Sequence, residues 1–487
     1  MSKASSKDLF YLIKALTKSE KRYFKVMASV HFSDENNTYI KLFDAIDRQQ
    51  EYDEKKLLKH FKRLSLLKGR LYDAILKRLN SYHSESSVPI QLKNYLHSIE
   101  VLYEKRLYSQ CEKLIAKAKL LAMKHDLQLP LLELLKWEAE ILKMQSFIDV
   151  NEDKIREVFN SIFSSIEQYK TTNEYILHTS LLLLMIMKTG NIRSSSDIKA
   201  LKKIMDNPLF RVPEQELSFH SLDCFYAAHG VYFFMQNDYH NANTFYQKQV
   251  QLWEVNPHQI TENPLRYFYT MSNIFGSNLY LKQYRECAGG IEKLRKLQVK
   301  SLNVRKYICF MTGEMNLALC IETGTFNKGI EWIQSREGGW DKKGSTIINK
   351  GEILFFKYNT AYLYFATENY HKANEYLNQI LNEPVDVRND IQCFAQILSL
   401  LVHFEMGKQD LLEYRAKSVY RFLNKRNRLY KVENIILNFI REKLSKIHSD
   451  KALLKSFEVL LTKMKAIANN PFERRAYDYF DFISWLE

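Results

Sequence analysis

Glycine and proline are scarce in this chain, whose 487 residues contain 14 of the first and 8 of the second. An α/β enzyme of this length ordinarily carries more glycine in its turns and phosphate-binding loops. Six cysteines, Cys111, Cys224, Cys287, Cys309, Cys320 and Cys393, are scattered with no C-x-x-C pair. That spacing argues against a zinc ribbon or a disulfide framework, and reduced thiols acting as small core residues are expected instead. The longest apolar run, Leu181 to Met187, has seven residues, against about 20 needed to cross a bilayer. The opening residues Met1 to Asp8 are polar and lead into an amphipathic helix rather than a secretory apolar region. A cytoplasmic protein with no membrane insertion is expected.

Enzyme signatures are missing too. There is no H-E-x-x-H, G-x-S-x-G or G-x-G-x-x-G. The stretch Gly339 to Ser345 superficially resembles a phosphate loop but lacks the lysine before Ser345, and no strand precedes it. It reads as an inter-repeat turn. His220 and His229 lie nine apart and fit no common metal spacing, while Asp478 and Asp481 are expected to be solvated. No catalytic residue, cofactor or metal is expected.

What the chain does contain is helix-forming sequence and a repeat. Hydrophobic residues make up 46%, helix breakers are few and strand-like alternation is rare, so an all-α fold is expected. The pattern Tyr-His-x-Ala-Asn occurs at Tyr239 to Asn243 and again at Tyr370 to Asn374. Weaker copies begin at Tyr284 and Phe326, giving intervals of 45, 42 and 44 residues. Such a period marks an array of helical hairpins in which each repeat packs on its neighbours. His240 and His371, equivalent in the two copies, are expected at the turn, capping the second helix.

Three regions follow. Residues 1–88 form a basic helical region with 18 Lys and Arg against 11 Asp and Glu. Thr17 and Glu20 in it have the spacing of a capping box, and a loop is expected at Ser33 to Asn37. After the polar stretch His83 to Pro89, the repeat array runs over residues 91–470. A first unit lies at Tyr95 to Ala122, where Tyr108, Cys111, Ile115 and Ala118 match Tyr239, Ala242, Tyr246 and Gln249. Two divergent units are expected over 129–210, broken at Asn191 to Asp197, and further units at 217–258, 264–300, 304–336, 350–383 and 390–427. Residues 471–487 form a C-terminal capping segment: six of the fourteen residues from Phe472 to Trp485 are aromatic. Tyr477, Phe480 and Trp485 would spread around an uninterrupted helix, so burial on several sides, or a helix ending before Trp485, is expected.

The repeat units resemble tetratricopeptide repeats. Gly230 falls at that family's small first-helix position and Phe233 at an aromatic one. Tyr239 stands at the turn, with Ala242 and Tyr246 at the small and aromatic second-helix positions. The second unit supplies Ala361, Tyr364, Tyr370, Ala373 and Leu377. The period of about 43 departs from the family's 34. The resemblance implies a helical-hairpin solenoid. The chain's flanks, Leu16 to Lys25 and Pro471 to Glu487, also resemble those of uncharacterised bacterial (Bacteroidota) helical-repeat proteins, a likeness that carries no activity.

Two surfaces are candidates for binding. Inner-face positions of such a solenoid correspond to Tyr269, Leu279, Tyr280, Phe355, Tyr358, Tyr362 and Phe365, aromatic residues suited to peptide recognition or to the inter-repeat core. The polar pair that would clamp a C-terminal carboxylate is replaced by Ala227 and Val231 in one unit and by Tyr358 and Tyr362 in another. A formal net charge of +15 points to polyanions as the alternative. The candidates are Lys55, Lys59, Lys62 and Arg63, and the set Lys417, Arg421, Lys425 and Arg428, spaced to share one helix face. The first expectation is a non-enzymatic scaffold that binds a protein or peptide. The alternative is a nucleic-acid-associated regulator whose basic N-terminal region makes the contact while the repeats sense a partner.

Overall fold

With little strand-forming alternation, the chain folds almost entirely as helix, and most of its described glycines lie inside helices. The computed structural model describes the backbone outside residues 1–6, 31–34, 85–86, 146, 148–149, 190–191, 336–347, 385–387, 409–411 and 444–448. Side chains of 29–30, 35–37, 189, 442–443 and 450 also fall outside the description, and so does the Gly339 to Ser345 stretch. Helix accounts for 81%, and no strand occurs among the described residues. The chain divides into two compact units, Met1–Glu167 and Gln168–Glu487.

Unit 1 begins with α1 (Asp8–Ala15), α2 (Lys18–Val30), α3 (Glu35–Arg48), α4 (Glu54–Leu58) and α5 (Leu64–Tyr82). They enclose Ile13, Phe24, Leu42, Phe43, Leu71 and Ile75. Thr17 and Glu20 form the reciprocal cap: the Thr17 N–H donates to Glu20 Oε2 (2.6 Å) and the Glu20 N–H to Thr17 Oγ1 (3.2 Å). Of the loop expected at Ser33 to Asn37, residues 35–37 are instead the start of α3; Ser33 and Asp34 lie outside the described residues. Next come α6 (Val88–Glu104), α7 (Tyr108–Lys124) and α8 (Gln128–Met144), packed through Leu92, Ile99, Cys111, Ile115 and Leu134.

The following helix, α9 (Glu152–Thr189), runs 38 residues. It lies within the stretch 129–210 where two divergent units were expected, and residues 192–194, inside the break expected at Asn191 to Asp197, are not helical. Glu152 to Thr189 contains neither glycine nor proline to stop the helix. The division between units falls within it.

Unit 2 continues with α10 (Ser195–Met205), then hairpins. Their helix pairs are α11 (Phe219–Met235) with α12 (Tyr239–Glu254), and, after the short α13 (Pro257–Glu262), α14 (Pro264–Tyr280) with α15 (Tyr284–Arg295). Next are α16 (Leu302–Glu322) with α17 (Phe326–Gln334) and α18 (Lys350–Ala366) with α19 (Tyr370–Leu381). The last pair is α20 (Asn389–Glu405) with α21 (Leu412–Asn424). The first helices α11, α14, α16, α18 and α20 touch in succession and form one layer. After them come α22 (Lys431–Asn438), α23 (Asp450–Ile467), α24 (Arg474–Tyr477) and α25 (Phe482–Leu486).

One turn recurs. Asn237, Lys282, Gly324, Glu368 and Gly407 each adopt the left-handed conformation just after a first helix. The following N–H reaches back five residues, as from Asp238 to the Phe233 carbonyl (3.0 Å) and from Asn369 to that of Tyr364 (2.8 Å). This closure satisfies carbonyls that the helix end leaves open. The side-chain caps on α12 and α19 are Asp238, which accepts from the Asn241 N–H, and Asn369, which accepts from the Lys372 N–H. His240 and His371, expected in that role, are exposed.

The repeated motif has a packing explanation. Ala242 is fully buried where the helices approach closely. Asn243 donates to Asn278 Oδ1 (2.6 Å) and Ser277 Oγ (2.9 Å) in the next hairpin. Asp223 similarly ties α11, α12 and α14, accepting from Gln249 (2.8 Å), Trp253 (2.7 Å) and Arg266 (2.6 Å). Glu314 of α16 accepts from Asn359 of α18 (2.5 Å). Burial pushes its carboxyl up to about 8, against the opposing effect of that hydrogen bond. Five of the six cysteines are buried free thiols, and Cys309 is exposed.

Gly230 admits the Tyr246 ring: a Cβ there would overlap it. Gly230→Ala is expected to destabilise the protein by about 1–3 kcal/mol. Gly289→Ala, where the space around the glycine is open, should stabilise helix α15 by up to about 1 kcal/mol. Opposite shifts of the two variants in denaturant unfolding bear out this packing; equal shifts contradict it.

Candidate functional site

Residues 471–487 lie along the first-helix layer of unit 2. They form α24 and α25 with a short irregular stretch between, and Phe472, Tyr477, Tyr479, Phe480, Phe482 and Trp485 are all buried or half-buried. Four anchors fix the segment.

The first is a pair of buried charges. Glu473 accepts the Val432 N–H (3.0 Å) and the Lys431 N–H (3.2 Å), satisfying open donors at the start of α22. Arg193, from the loop before α10, bridges Glu433 and Glu473 and donates to the Phe472 carbonyl (2.9 Å). The second anchor is Arg475, which is 1% exposed. Its guanidinium sits 5.7 Å from the Phe234 ring, 5.6 Å from Tyr239 and 5.8 Å from Tyr280. It donates to the Phe234 carbonyl (2.8 Å) and pairs with Asp478 (3.1 Å). Tyr239 and Tyr280 stack in parallel at 4.4 Å, and the guanidinium, almost equidistant from both rings, lies beside the stack. Asp478, expected to be solvated, is instead the partner of a buried arginine; Asp481 caps α25 by accepting the Ser484 N–H (3.1 Å).

Tyr479 is the third anchor. Its ring stacks on Phe394 at 4.2 Å, and its hydroxyl donates to Asp390 (2.5 Å). Burial alone would raise the Asp390 carboxyl, but the Arg388 guanidinium and the Tyr479 hydroxyl hold it below its ordinary range. Burial keeps the Tyr479 phenol protonated by pushing it well above its ordinary value. The fourth anchor is apolar. Phe480 packs at 5.4 Å from Tyr362 and 5.3 Å from Phe365. Trp485 donates to Glu405 (2.8 Å) and lies against Phe404 and Phe457.

The expected peptide-groove residues therefore separate. Tyr280, Tyr358, Tyr362 and Phe365 meet the chain's own segment; the Tyr358 hydroxyl donates to the Tyr479 carbonyl (2.9 Å), and Tyr358 is 2% exposed. Leu279 packs into the core of the middle hairpins, and Phe355 lies against the Arg388 guanidinium (5.4 Å). Tyr269 stays 46% exposed, with its hydroxyl 3.2 Å from that of Tyr307.

The basic candidates separate as well. Lys55, Lys59, Lys62 and Arg63 are exposed around α4 and the turn into α5, whereas their neighbour Lys68 turns inward onto Tyr52 (2.7 Å) and Glu54 (2.9 Å). Lys417, Arg421 and Lys425 are exposed, and Lys417 pairs with Glu413 (2.6 Å). Arg428 does not share their helix face. α21 stops at Asn424, Asn427 takes the left-handed conformation, and Arg428 lines a small cavity with Arg193 and Tyr479.

Sequence reasoning missed Arg475 and its cage, and also Arg193, which is separated from Glu433 by 240 residues. Among the described residues, no three His, Cys, Asp or Glu side chains are placed to hold a metal, and no helix is long and apolar enough to cross a membrane. No protein-family model matches the chain, and no curated protein does.

Tyr358 gives a graded test. Tyr358→Phe removes one buried hydrogen bond and should cost about 1 kcal/mol of unfolding free energy, while Tyr358→Ala should cost about 3–5 kcal/mol. Near-zero effects for both would remove Tyr358 from the contact with residues 471–487.

Proposed function

We propose that this chain is a non-enzymatic interaction scaffold, a solenoid of tetratricopeptide-like hairpins that binds an extended peptide of a protein partner along the first-helix layer of unit 2. The observation that carries the reading is the way residues 471–487 occupy that layer: aromatic and arginine anchors sit in separate niches on the first, second, fourth and fifth hairpins. Those residue types dominate peptide and protein interfaces. The exposed Tyr269, on the same layer, leaves part of it open to a partner. The buried free thiols, and the lack of a long apolar helix among the described residues, support a cytoplasmic setting. A photo-crosslinking residue at Tyr269 should capture the partner in the native host, and the same residue at Tyr414, which is 71% exposed on α21, should not. Capture only from Tyr414 counts against the reading.

A second reading rests on Lys55, Lys59, Lys62 and Arg63, all exposed within one short stretch of unit 1. Contact with a nucleic acid there predicts salt-dependent binding. Reversing these four charges should then lower the slope of log K against log salt by roughly the number of phosphates that they neutralise. Failure of micromolar protein to shift DNA or RNA at low salt removes this alternative.

A further inference from the structure

We propose that the first-helix layer of unit 2 selects a peptide carrying an arginine four residues before a Tyr-Phe pair, and that residues 471–487 are the chain's own competitor for it. The proposal rests on the peptide-binding reading above and adds the chemistry of the ligand and a means of regulation.

The niche formed by Phe234, Tyr239 and Tyr280 suits a cation. Three ring centroids lie 5.6, 5.7 and 5.8 Å from one guanidinium, which sits beside the Tyr239–Tyr280 stack, and the Phe234 carbonyl gives it a directed acceptor. Arginine suits such a site because its flat, weakly hydrated cation stacks and donates at once. The cage tolerates a mobile occupant because its rings already support one another: Tyr239 stacks on Tyr280 and Phe234 lies edge-on to both. Arg475 is also imperfectly satisfied, since its Nε has no hydrogen-bond partner among the described residues. Four residues on, the Tyr479 niche reads both ends of a tyrosine, with Phe394 against the ring and Asp390 on the hydroxyl. Tyr358 reads the backbone carbonyl of that residue, and Tyr362 with Phe365 receives the phenylalanine that follows. The pattern Arg475, Tyr479, Phe480 is therefore recognised by side chains on α11, α12, α14, α18 and α20.

A cis segment acts at an effective concentration on the order of millimolar. A partner present at micromolar levels gains the layer only where its intrinsic affinity is higher or the cis segment is weakened. The test follows from that competition. A full-length chain carrying Arg475→Ala and Tyr479→Ala is compared with the wild type for binding a labelled synthetic peptide of residues 471–487. A milder full-length chain, Arg475→Lys with Tyr479→Phe, is measured in parallel, and circular dichroism establishes that each is folded. At least one folded variant should bind the peptide roughly tenfold or more tighter than the wild type does. The peptide bearing Arg475→Ala should bind roughly tenfold or more weakly. Equal binding of the two peptides overturns arginine selection but leaves peptide binding standing. Folded variants that bind neither peptide overturn the competitor role, while crosslinking from Tyr269 still judges the broader reading. Loss of helix in both variants also overturns the proposal, because the segment is then part of the folded core.

Discussion

The arrangement of unit 2 depends on two charges of opposite sign carried by residues 471–487 and taken out of water. Glu473 and Arg475 stand two residues apart, each almost wholly buried. Desolvating an ion costs several kcal/mol even after relaxation, and only close, well-directed partners offset it. Glu473 finds them in Arg193 and the N-terminus of α22, and Arg475 in the aromatic cage, the Phe234 carbonyl and Asp478. Neither ion has an alternative register. A shift of one residue along the layer would leave both unpaired, so these charges fix where the aromatic side chains that follow them come to rest.

The hairpins present that layer through a different device. In the four hairpins from α11 to α19 a left-handed residue follows the first helix and the second helix starts two residues after it, so the connection has the same length in each. Buried polar links between neighbours, through Asp223, Asn243 and Glu314, then set how one hairpin is seated on the next. Apolar contact supplies most of the stabilisation, but it is non-directional. The polar links are what make a single seating preferable to its neighbours.

These two levels differ in how far a sequence reveals them. The hairpins were legible because their determinants are local: Tyr239, Tyr284, Phe326 and Tyr370 each open a second helix, at the intervals the repeat predicts. The cap of Thr17 with Glu20 was legible for the same reason. The length of α9, 38 residues, was not foreseen, since a repeat period was extended across a stretch that contains neither glycine nor proline. Arg428 was placed on a face of α21 by spacing alone, which carries no information about where the helix ends. The anchors of residues 471–487 were beyond reach. Their aromatic content signalled burial, but Arg475 meets Phe234 across 241 residues, and no local pattern marks such a pairing. Tyr358, Tyr362 and Phe365 were read as facing a peptide. The segment they meet belongs to the same chain.

Amide hydrogen exchange on the full-length protein tests the central claim most directly, because it reports the occupancy of the first-helix layer without altering a residue. The N–H groups of Ala476, Tyr479, Phe482 and Trp485 are hydrogen-bonded within the segment, and the side chains of Tyr479 and Trp485 are held by α18, α20 and α23. The account predicts that peptides spanning residues 471–487 exchange far more slowly than the same sequence free in solution. Exchange at the free-peptide rate, with α18 and α20 still protected, would contradict it.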